Sequence, residues 1–165
     1  MLHVKAAAIT DISTIQALAD KIWPPTYAAI LTPEQITYMM DMMYSTSSLQ
    51  DQLTVKGHHY LILADDQQPI GYASYSTTSE TQVFKLHKIY LDPSQQGKGI
   101  GKFLLNAVAD QVRAADGTVL ELDVNRHNKA LQFYQSQGFN ITGEKDTDIG
   151  RGYLMNDYIL RKTLV

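Results

Sequence analysis

Residues 95–102 read Gln95-Gln96-Gly97-Lys98-Gly99-Ile100-Gly101-Lys102, a glycine-rich stretch between two segments of different period. The segment before it, 84–91, is apolar and typical of a strand, whereas apolar residues after it recur at helical spacing. The first N–H groups of a helix have no internal partner, and the helix dipole is positive there. Glycines also let an anion approach the backbone closely. The order of strand, loop and helix therefore favours binding of a phosphate group.

Two familiar phosphate-binding loops do not fit this stretch. A Walker A loop needs Gly-Lys followed by Ser or Thr, and here Gly101-Lys102 is followed by Phe103. A dinucleotide fingerprint counted from the first glycine of the loop needs its third glycine where Lys102 stands. The pattern that remains is Gln96-x-x-Gly99-x-Gly101. Taken alone, this short pattern is equally typical of a glycine-rich turn before a surface helix.

The segments around the loop make the pattern more specific. A predicted strand over 86–91 precedes it, and a second one over 119–125 follows the helix. The next helix carries Asn128, Ala130, Phe133, Tyr134, Gly138 and Phe139. Over residues 70–140 this combination resembles the GNAT superfamily of N-acetyltransferases, and the flanking parts are similar to a bacterial subset that includes polyamine-type acetyltransferases. The resemblance implies an enzyme that uses acetyl-CoA as its acyl donor.

Length and composition limit the possible classes of protein. A chain of 165 residues predicts a single domain, residues 1–165. The absence of cysteine excludes disulfides, thiolate metal sites and a cysteine nucleophile, and the histidines show no metal-ligand spacing, so no metal is expected. A net charge of −3 without a cluster of Lys and Arg argues against a nucleic-acid partner. No leader and no apolar run of ~18 residues are present, so we expect a cytoplasmic protein without a membrane partner.

Periodicity in the middle of the chain predicts the centre of an α+β fold. Strands over 60–63, 70–75 and 83–91 have short connections, which indicates an antiparallel meander and argues against a Rossmann unit. The helix from 100 to about 115 leads to a strand over 118–124. That strand is expected to lie parallel to the third meander strand through a right-handed crossover.

The remaining elements are expected on both sides of this centre. They are a strand over 2–9, helices over 12–23, 33–43, 47–56 and 128–137, and strands over 139–143 and 152–160. Pro24-Pro25 is expected to stop the first helix, while Thr32 and Ser47 are expected to cap the next two. The resemblance implies a GNAT-like mixed, mostly antiparallel central sheet with a splayed central parallel pair and helices on both faces.

The resemblance also implies which residues bind the cofactor. The pyrophosphate is assigned to the loop and first helical turn, Gln96, Gly97, Lys98, Gly99, Ile100, Gly101 and Lys102. The open edge of the preceding strand, Ile89, Tyr90 and Leu91, is expected to pair with the two amides of the pantetheine arm. Asn128, Ala130 and Tyr134 are expected beside that arm and the thioester. Ordinary structural roles remain alternatives: surface lysines in the loop, core side chains on the strand, and an N-cap at Asn128.

Two residues are expected to take part in catalysis. The resemblance implies that Tyr134 reaches the thioester sulfur, although a core tyrosine is the alternative. Because the pKa of a free thiol is ~8.5 and that of tyrosine ~10, we expect this phenol to hydrogen-bond the developing thiolate rather than to protonate it fully. The attacking amine must lose a proton. His87 is the best candidate for that base, because strand alternation puts it on one face with Ile89 and Leu91.

The residue that often serves as base in the family is missing here. In other GNAT enzymes an acidic residue stands on this strand two residues before His87, where this chain has Lys85. Asp157 and Glu121 are weaker candidates. His87 is also consistent with an ordinary strand residue.

The acceptor is the least specified part of the reaction. We expect a primary amine of a small molecule or a peptide N-terminus, which attacks the thioester directly. A transferase for longer acyl groups, a non-catalytic acyl-CoA-binding sensor and a phosphate- or nucleotide-binding module are the alternatives. The methionines of the second helix are typical of a core, but they also fit an acceptor pocket or the contact face of a homodimer.

Overall fold

The computed structural model describes residues 1–164, whose strands form one mixed sheet with helices on both faces. Its strands are β1 (Leu2–Ala6), β2 (His59–Asp65), β3 (Gln68–Thr77), β4 (Val83–Leu91), β5 (Val119–Asn125), β6 (Asn140–Gly150) and β7 (Tyr153–Thr163). Its helices are α1 (Ile12–Tyr27), α2 (Pro33–Tyr44), α3 (Thr46–Thr54), α4 (Ile100–Ala114) and α5 (Ala130–Ser136), with short 3-10 turns at Ile9–Asp11 and Pro93–Gln95. The predicted α+β class is confirmed.

The sheet has the order β1-β2-β3-β4-β5-β7-β6. Within the described chain, β4 and β5 are its one parallel pair, and α4 is the crossover between them. Leu104 and Val108 of α4 pack on one face of the sheet, whereas α1 to α3 cover the other face around Trp23 and Tyr72. The meander, the crossover and the placement of helices on both faces agree with the sequence prediction. None of the helices described is long and apolar enough to cross a membrane.

The parallel pair is splayed. Pairing between β4 and β5 begins at Val83 and Val119 and ends at Leu86 and Leu122. Both strands continue beyond that point, β4 to Leu91 and β5 to Asn125, without pairing to each other. The predicted gap is therefore present, and it leaves one edge of β4 without a strand partner.

A β-bulge in β4 changes the predicted side-chain pattern. Ser74 of β3 lies opposite Lys88, but Tyr75 lies opposite Leu86, so His87 is the extra residue. Ile89 and Leu91 pack against the core under α4, whereas His87 stacks on His58 at the other face. The expectation that His87 shares a face with Ile89 and Leu91 is wrong, because strict alternation does not hold across a bulge.

Two helix boundaries also differ from the prediction. Helix α1 continues through Pro24 and Pro25 to Tyr27. Both prolines are exposed, so the backbone carbonyls that lose an N–H partner lie on the solvent side, where water can satisfy them. Thr32 caps α2 as expected, but the cap of α3 is Ser45 rather than Ser47. The longer α1 carries Tyr27 to the centre of the sheet, where its hydroxyl lies 2.7 Å from that of Tyr90.

Candidate functional site

A cavity of about 1300 Å³ extends along the gap between β4 and β5. One end is formed by the glycine-rich loop, and the other lies against α2 and α3. The predicted site residues that line it are His87, Ile89, Tyr90, Leu91, Gln96, Gly97, Gly99, Gly101, Lys102, Asn128, Ala130 and Tyr134. Two other predicted residues do not line it: Ile100 is buried in the core under α4, and Lys98 is exposed.

The loop presents free backbone donors to this cavity. Gly97 and Gly99 have positive φ angles of 80° and 77°, which bend the chain into the first turn of α4. Among residues 1–164, the backbone N–H groups of 97–102 donate to no protein acceptor, and the first donor of the helix with a partner is Phe103 N, 3.2 Å from Gly99 O. The loop can thus offer several N–H groups to one anion.

Asp92 fixes the turn that leads into the loop. Its Oδ1 accepts from Ser94 N at 3.0 Å and from Ser94 Oγ at 2.9 Å, and its Oδ2 contacts Lys21 Nζ at 2.5 Å. The Lys21 ammonium, together with these hydrogen bonds, lowers the pKa of Asp92. The carboxylate therefore stays charged and holds the end of β4 against α1.

Tyr134 lies in the wall of the cavity with 8% of its surface exposed. Its ring packs edge-on against Phe139, with centroids 5.8 Å apart. Burial raises the pKa of the phenol, and Tyr27 nearby acts in the same direction. In the described chain the hydroxyl has no protein hydrogen-bond partner. Tyr134 is thus a neutral phenol with a donor available to a ligand.

Tyr27 and Tyr90 form a pair of phenols at the cavity. Their hydroxyl oxygens are 2.7 Å apart, and Trp23 packs against Tyr27 with centroids 4.5 Å apart. Burial raises the pKa of Tyr27 to about 12, so this pair is neutral at physiological pH. The pair closes the α1 side of the site with polar but uncharged atoms.

Asp157 supplies a carboxylate to the same cavity. It lies on β7 between Asn125 of β5 and Lys145 of β6, and 4% of its surface is exposed. Burial, followed by the charge of Asp123, raises its pKa to about 6. No protein hydrogen bond reaches its side chain within the described residues, because Lys145 and Lys85 both contact Asp123 Oδ2, at 2.7 and 2.8 Å. Asp157 is an unpaired carboxylate with a pKa near neutrality.

The predicted base His87 has a different environment. Its Nε2 lies 2.7 Å from Ser76 Oγ, and its ring stacks on His58 with centroids 4.0 Å apart. Burial, then the charge of His58, lowers the pKa of His87 to about 3. Glu121, a weaker candidate, accepts from Arg161 Nε at 2.9 Å. The pKa of His87 is therefore too low for taking a proton near pH 7, and the carboxylate of Glu121 is already bound by Arg161.

Sequence reasoning did not single out Lys88, which is buried at the far end of the cavity. A lysine inside the apolar run 86–91 was the available signal. That signal did not identify a site, because strand alternation without knowledge of the bulge does not predict which side chains contact Lys88. Asn128 was expected as an N-cap, but the N-cap of α5 is Lys129, and Asn128 forms the turn before it, where its Oδ1 accepts from Ala130 N at 2.9 Å.

Comparison with known proteins finds acetyltransferases that are similar to this chain in sequence. The model of the acetyltransferase (GNAT) domain family matches residues 27–155. An uncharacterised N-acetyltransferase of Mycobacterium tuberculosis is 30% identical over 160 residues, which cover 95% of this chain and all of the relative. The N-alpha-acetyltransferase RimI of the same organism is 32% identical over 109 residues, 64% of this chain and 67% of the relative.

A solved structure shows the same fold over nearly the full length. The PaiA N-acetyltransferase from Thermoplasma acidophilum, in complex with coenzyme A, superposes with a TM-score of 0.83. The two sequences are 25% identical, and the match covers 99% of each chain.

Proposed function

We propose that this chain, which belongs to the GNAT family of acetyltransferases, transfers an acetyl group from acetyl-CoA to the primary amine of a small molecule or a peptide N-terminus. Acetyl-CoA-dependent transfer to an amine is the activity that the family establishes, and acetyl-CoA is the co-substrate. One observation carries the finer proposal: free loop amides, an open strand edge, a free phenol and an unpaired carboxylate line one cavity.

The donor is held along β4. The free amides of residues 97–102 bind the pyrophosphate at the start of α4, where the helix dipole adds to their attraction. The pantetheine arm follows the edge of residues 89–91, which β5 leaves unpaired, and its amides add to the sheet like a short strand. This arrangement directs the thioester from the loop towards Tyr134 and the splayed end of β5.

The leaving sulfur is stabilised by Tyr134. As the amine nitrogen bonds to the thioester carbon, the C–S bond breaks and negative charge develops on sulfur. A phenol whose pKa is raised by burial is a poor proton donor for complete transfer, but it remains a good hydrogen-bond donor. Tyr134 therefore acts as a fixed donor to the developing thiolate, in the manner of an oxyanion-hole group.

The proton of the amine passes to Asp157. An alkyl ammonium has a pKa of ~10.4, so the acceptor arrives charged, is attracted to a buried carboxylate, and must lose one proton to solvent before its lone pair can attack the thioester carbon. The nitrogen becomes acidic as its bond to the carbonyl carbon forms, and a carboxylate with a pKa of about 6 can then accept its proton. His87, whose pKa is about 3, holds a proton poorly, and we therefore propose Asp157 in its place.

Replacement of Gly99 by Val is expected to reduce acetyl-CoA affinity at least tenfold. A Cβ at Gly99 meets no protein atom within 4 Å, so the core is undisturbed, but a β-branched residue at this positive φ strains the loop that presents the free amides. Calorimetric titration with acetyl-CoA measures the loss. Gly152→Val is the matched control, because Gly152 has a φ of +79°, close to the +77° of Gly99, and is equally open. Equal affinity in the Gly99 and Gly152 variants would contradict the proposed phosphate site.

The activity itself is tested by a screen of acceptor amines. Purified protein is incubated with acetyl-CoA and polyamines, amino acids, aminoglycosides or peptides, and release of free thiol is followed. We expect release that depends on the amine, with the acetylated product found by mass spectrometry. Binding of acetyl-CoA without transfer to any primary amine would overturn the proposal and favour an acyl-CoA sensor.

A further inference from the structure

The end of the cavity farthest from the glycine-rich loop is basic. We call Lys56, His58, His87 and Lys88, all of which line it, the basic end. The ammonium of Lys56 lies 3.7 Å from Asp51, and both of these side chains are largely exposed. Lys88 has no carboxylate within ion-pairing distance in the described chain. Among the described residues of this end, the charge without an acidic partner is therefore that of Lys88.

Lys88 is buried among neutral groups. Its Nζ donates to Tyr60 OH at 2.5 Å and to Gln52 Oε1 at 3.0 Å, and it lies 4.4 Å from the centre of the Tyr44 ring. An ammonium has three N–H donors, so one is left after these two bonds. Burial lowers the pKa of Lys88 to about 7, which shows that its surroundings do not compensate the charge. An anion near Nζ would supply that compensation.

A second unsatisfied group stands beside Lys88. His58 Nδ1 is buried and has no hydrogen-bond partner within residues 1–164. The charge of Lys88 contributes to the lowered pKa of His58, about 4, so the two side chains are close. Buried polar atoms normally have a partner, which is protein, water or ligand. His58 Nδ1 donates in the tautomer that carries its proton there, and together with the free N–H of Lys88 it then suits an acceptor group that carries negative charge.

We infer that the basic end binds a carboxylate carried by the acceptor itself, so that the substrate is an amine with an acid group at its other end. This inference rests on the proposed function. A carboxylate suits the basic end because one buried ammonium matches one negative charge. The same cavity then holds opposite charges at its two acceptor contacts: Asp157 attracts the ammonium, and Lys88 attracts the carboxylate.

The strand order sets the distance between these two contacts. Asp157 is on β7 and Lys88 is on β4, and β5 lies between them. Two paired strand spacings correspond to roughly 10 Å, and β4 and β5 lie farther apart than a paired spacing here because their pairing ends at Leu86 and Leu122. The amine and the carboxylate are therefore at opposite ends of an extended molecule, and they are not attached to one carbon atom as in an α-amino acid.

The test compares ω-aminocarboxylates of increasing length with their carboxamides. The wild-type protein is expected to prefer the acid at least tenfold in kcat/KM at the best length, the usual gain for a hydrogen bond to a charged group. In Lys88→Met the preference is expected to fall to near one, because the apolar side chain keeps the volume but not the charge. Lys162→Met removes the same charge outside the cavity, and it should keep the wild-type preference.

Equal rates for acid and amide at every length in the wild type would overturn the inference and leave the proposed function intact. An acid preference that persists in Lys88→Met would also overturn it. If no amine reacts, the proposed function fails, but the inference is still tested by binding. Calorimetry with N-acetylated ω-aminocarboxylates and their amides should then show tighter binding of the acid, and equal binding would contradict the inference. The melting-temperature shift with acetyl-CoA confirms that each variant is folded.

Discussion

Asp157→Asn is expected to lower kcat/KM for the amine acceptor about a hundred-fold, within the usual range for loss of a general base. The variant keeps the shape of the side chain but cannot accept a proton or attract an ammonium by charge. In the wild type, kcat/KM should fall as the pH drops below about 6, because Asp157 becomes protonated. The variant should lose this step in the pH profile. Asp110→Asn, on the outer surface of α4, is the control with the same chemical change.

The interpretation of the change in kcat/KM near pH 6 depends on the charged groups around Asp157. Lys85 of β4, Asp123 of β5, Arg126 after β5 and Lys145 of β6 act on the pKa of Asp157, and Tyr27 of α1 is close to it. The pKa of Asp123 is lowered and those of Lys145 and Tyr27 are raised by their surroundings, so none of these three groups changes its charge near pH 6. A step near pH 6 that survives in Asp157→Asn would assign the base to another residue.

Asp157→Asn is also expected to change the free energy of unfolding. Because the folded protein raises the pKa of Asp157 from 3.8 to about 6, it binds this proton more tightly than the unfolded chain does. The associated stability is present below about pH 4 and is lost as the pH rises through about 6. Asp157→Asn should therefore increase the free energy of unfolding by on the order of 2 kcal/mol near pH 8 and have little effect near pH 4. Denaturant titrations at the two pH values measure the difference.

Tyr134→Phe is expected to reduce kcat about a hundred-fold, with little change in acetyl-CoA affinity. The phenol forms no protein hydrogen bond in residues 1–164, so its removal should not leave a buried partner unsatisfied. Its proposed bond to sulfur strengthens only as the thiolate forms, which is why turnover rather than binding should change. Single-turnover measurements with saturating acetyl-CoA isolate this step.

Tyr75→Phe is the matched control for this experiment. Tyr75 is also buried in the core under α4, but it does not line the cavity. Its hydroxyl makes one long contact, 3.4 Å to Gln111 Oε1. We expect near-normal turnover in Tyr75→Phe. Normal turnover in Tyr134→Phe as well would reduce Tyr134 to a packing residue.

The parts of the site that the sequence predicted are those determined locally. Three glycines between a strand and a helix define the loop, and the helical period of α4 follows directly. The parallel strand after it follows from the handedness of the crossover. Predictions from local patterns of this kind agree with the structure because the patterns depend on residues that are close together in the sequence.

The missed parts depend on contacts between distant segments. The bulge at His87 arises from pairing with β3, and no feature of residues 84–91 marks it. The pKa of Asp157 depends on charges from β4, β5 and β6, which the linear sequence does not bring together. The role proposed for Lys88 depends on its contacts with Tyr60 and Gln52, which lie far from it in the sequence.

The bulge at His87 also lets β4 vary in length without losing its open edge. In a strand the N–H and C=O of one residue point to the same edge, and those of the next residue point to the opposite edge. Leu86 lies opposite Tyr75 and Lys88 lies opposite Ser74, so deletion of His87 would leave a regular ladder with these two pairs unchanged. Residues 89–91 would therefore keep the edge that they present to the gap. A β4 that is one residue shorter should thus still bind acetyl-CoA and lose only the imidazole.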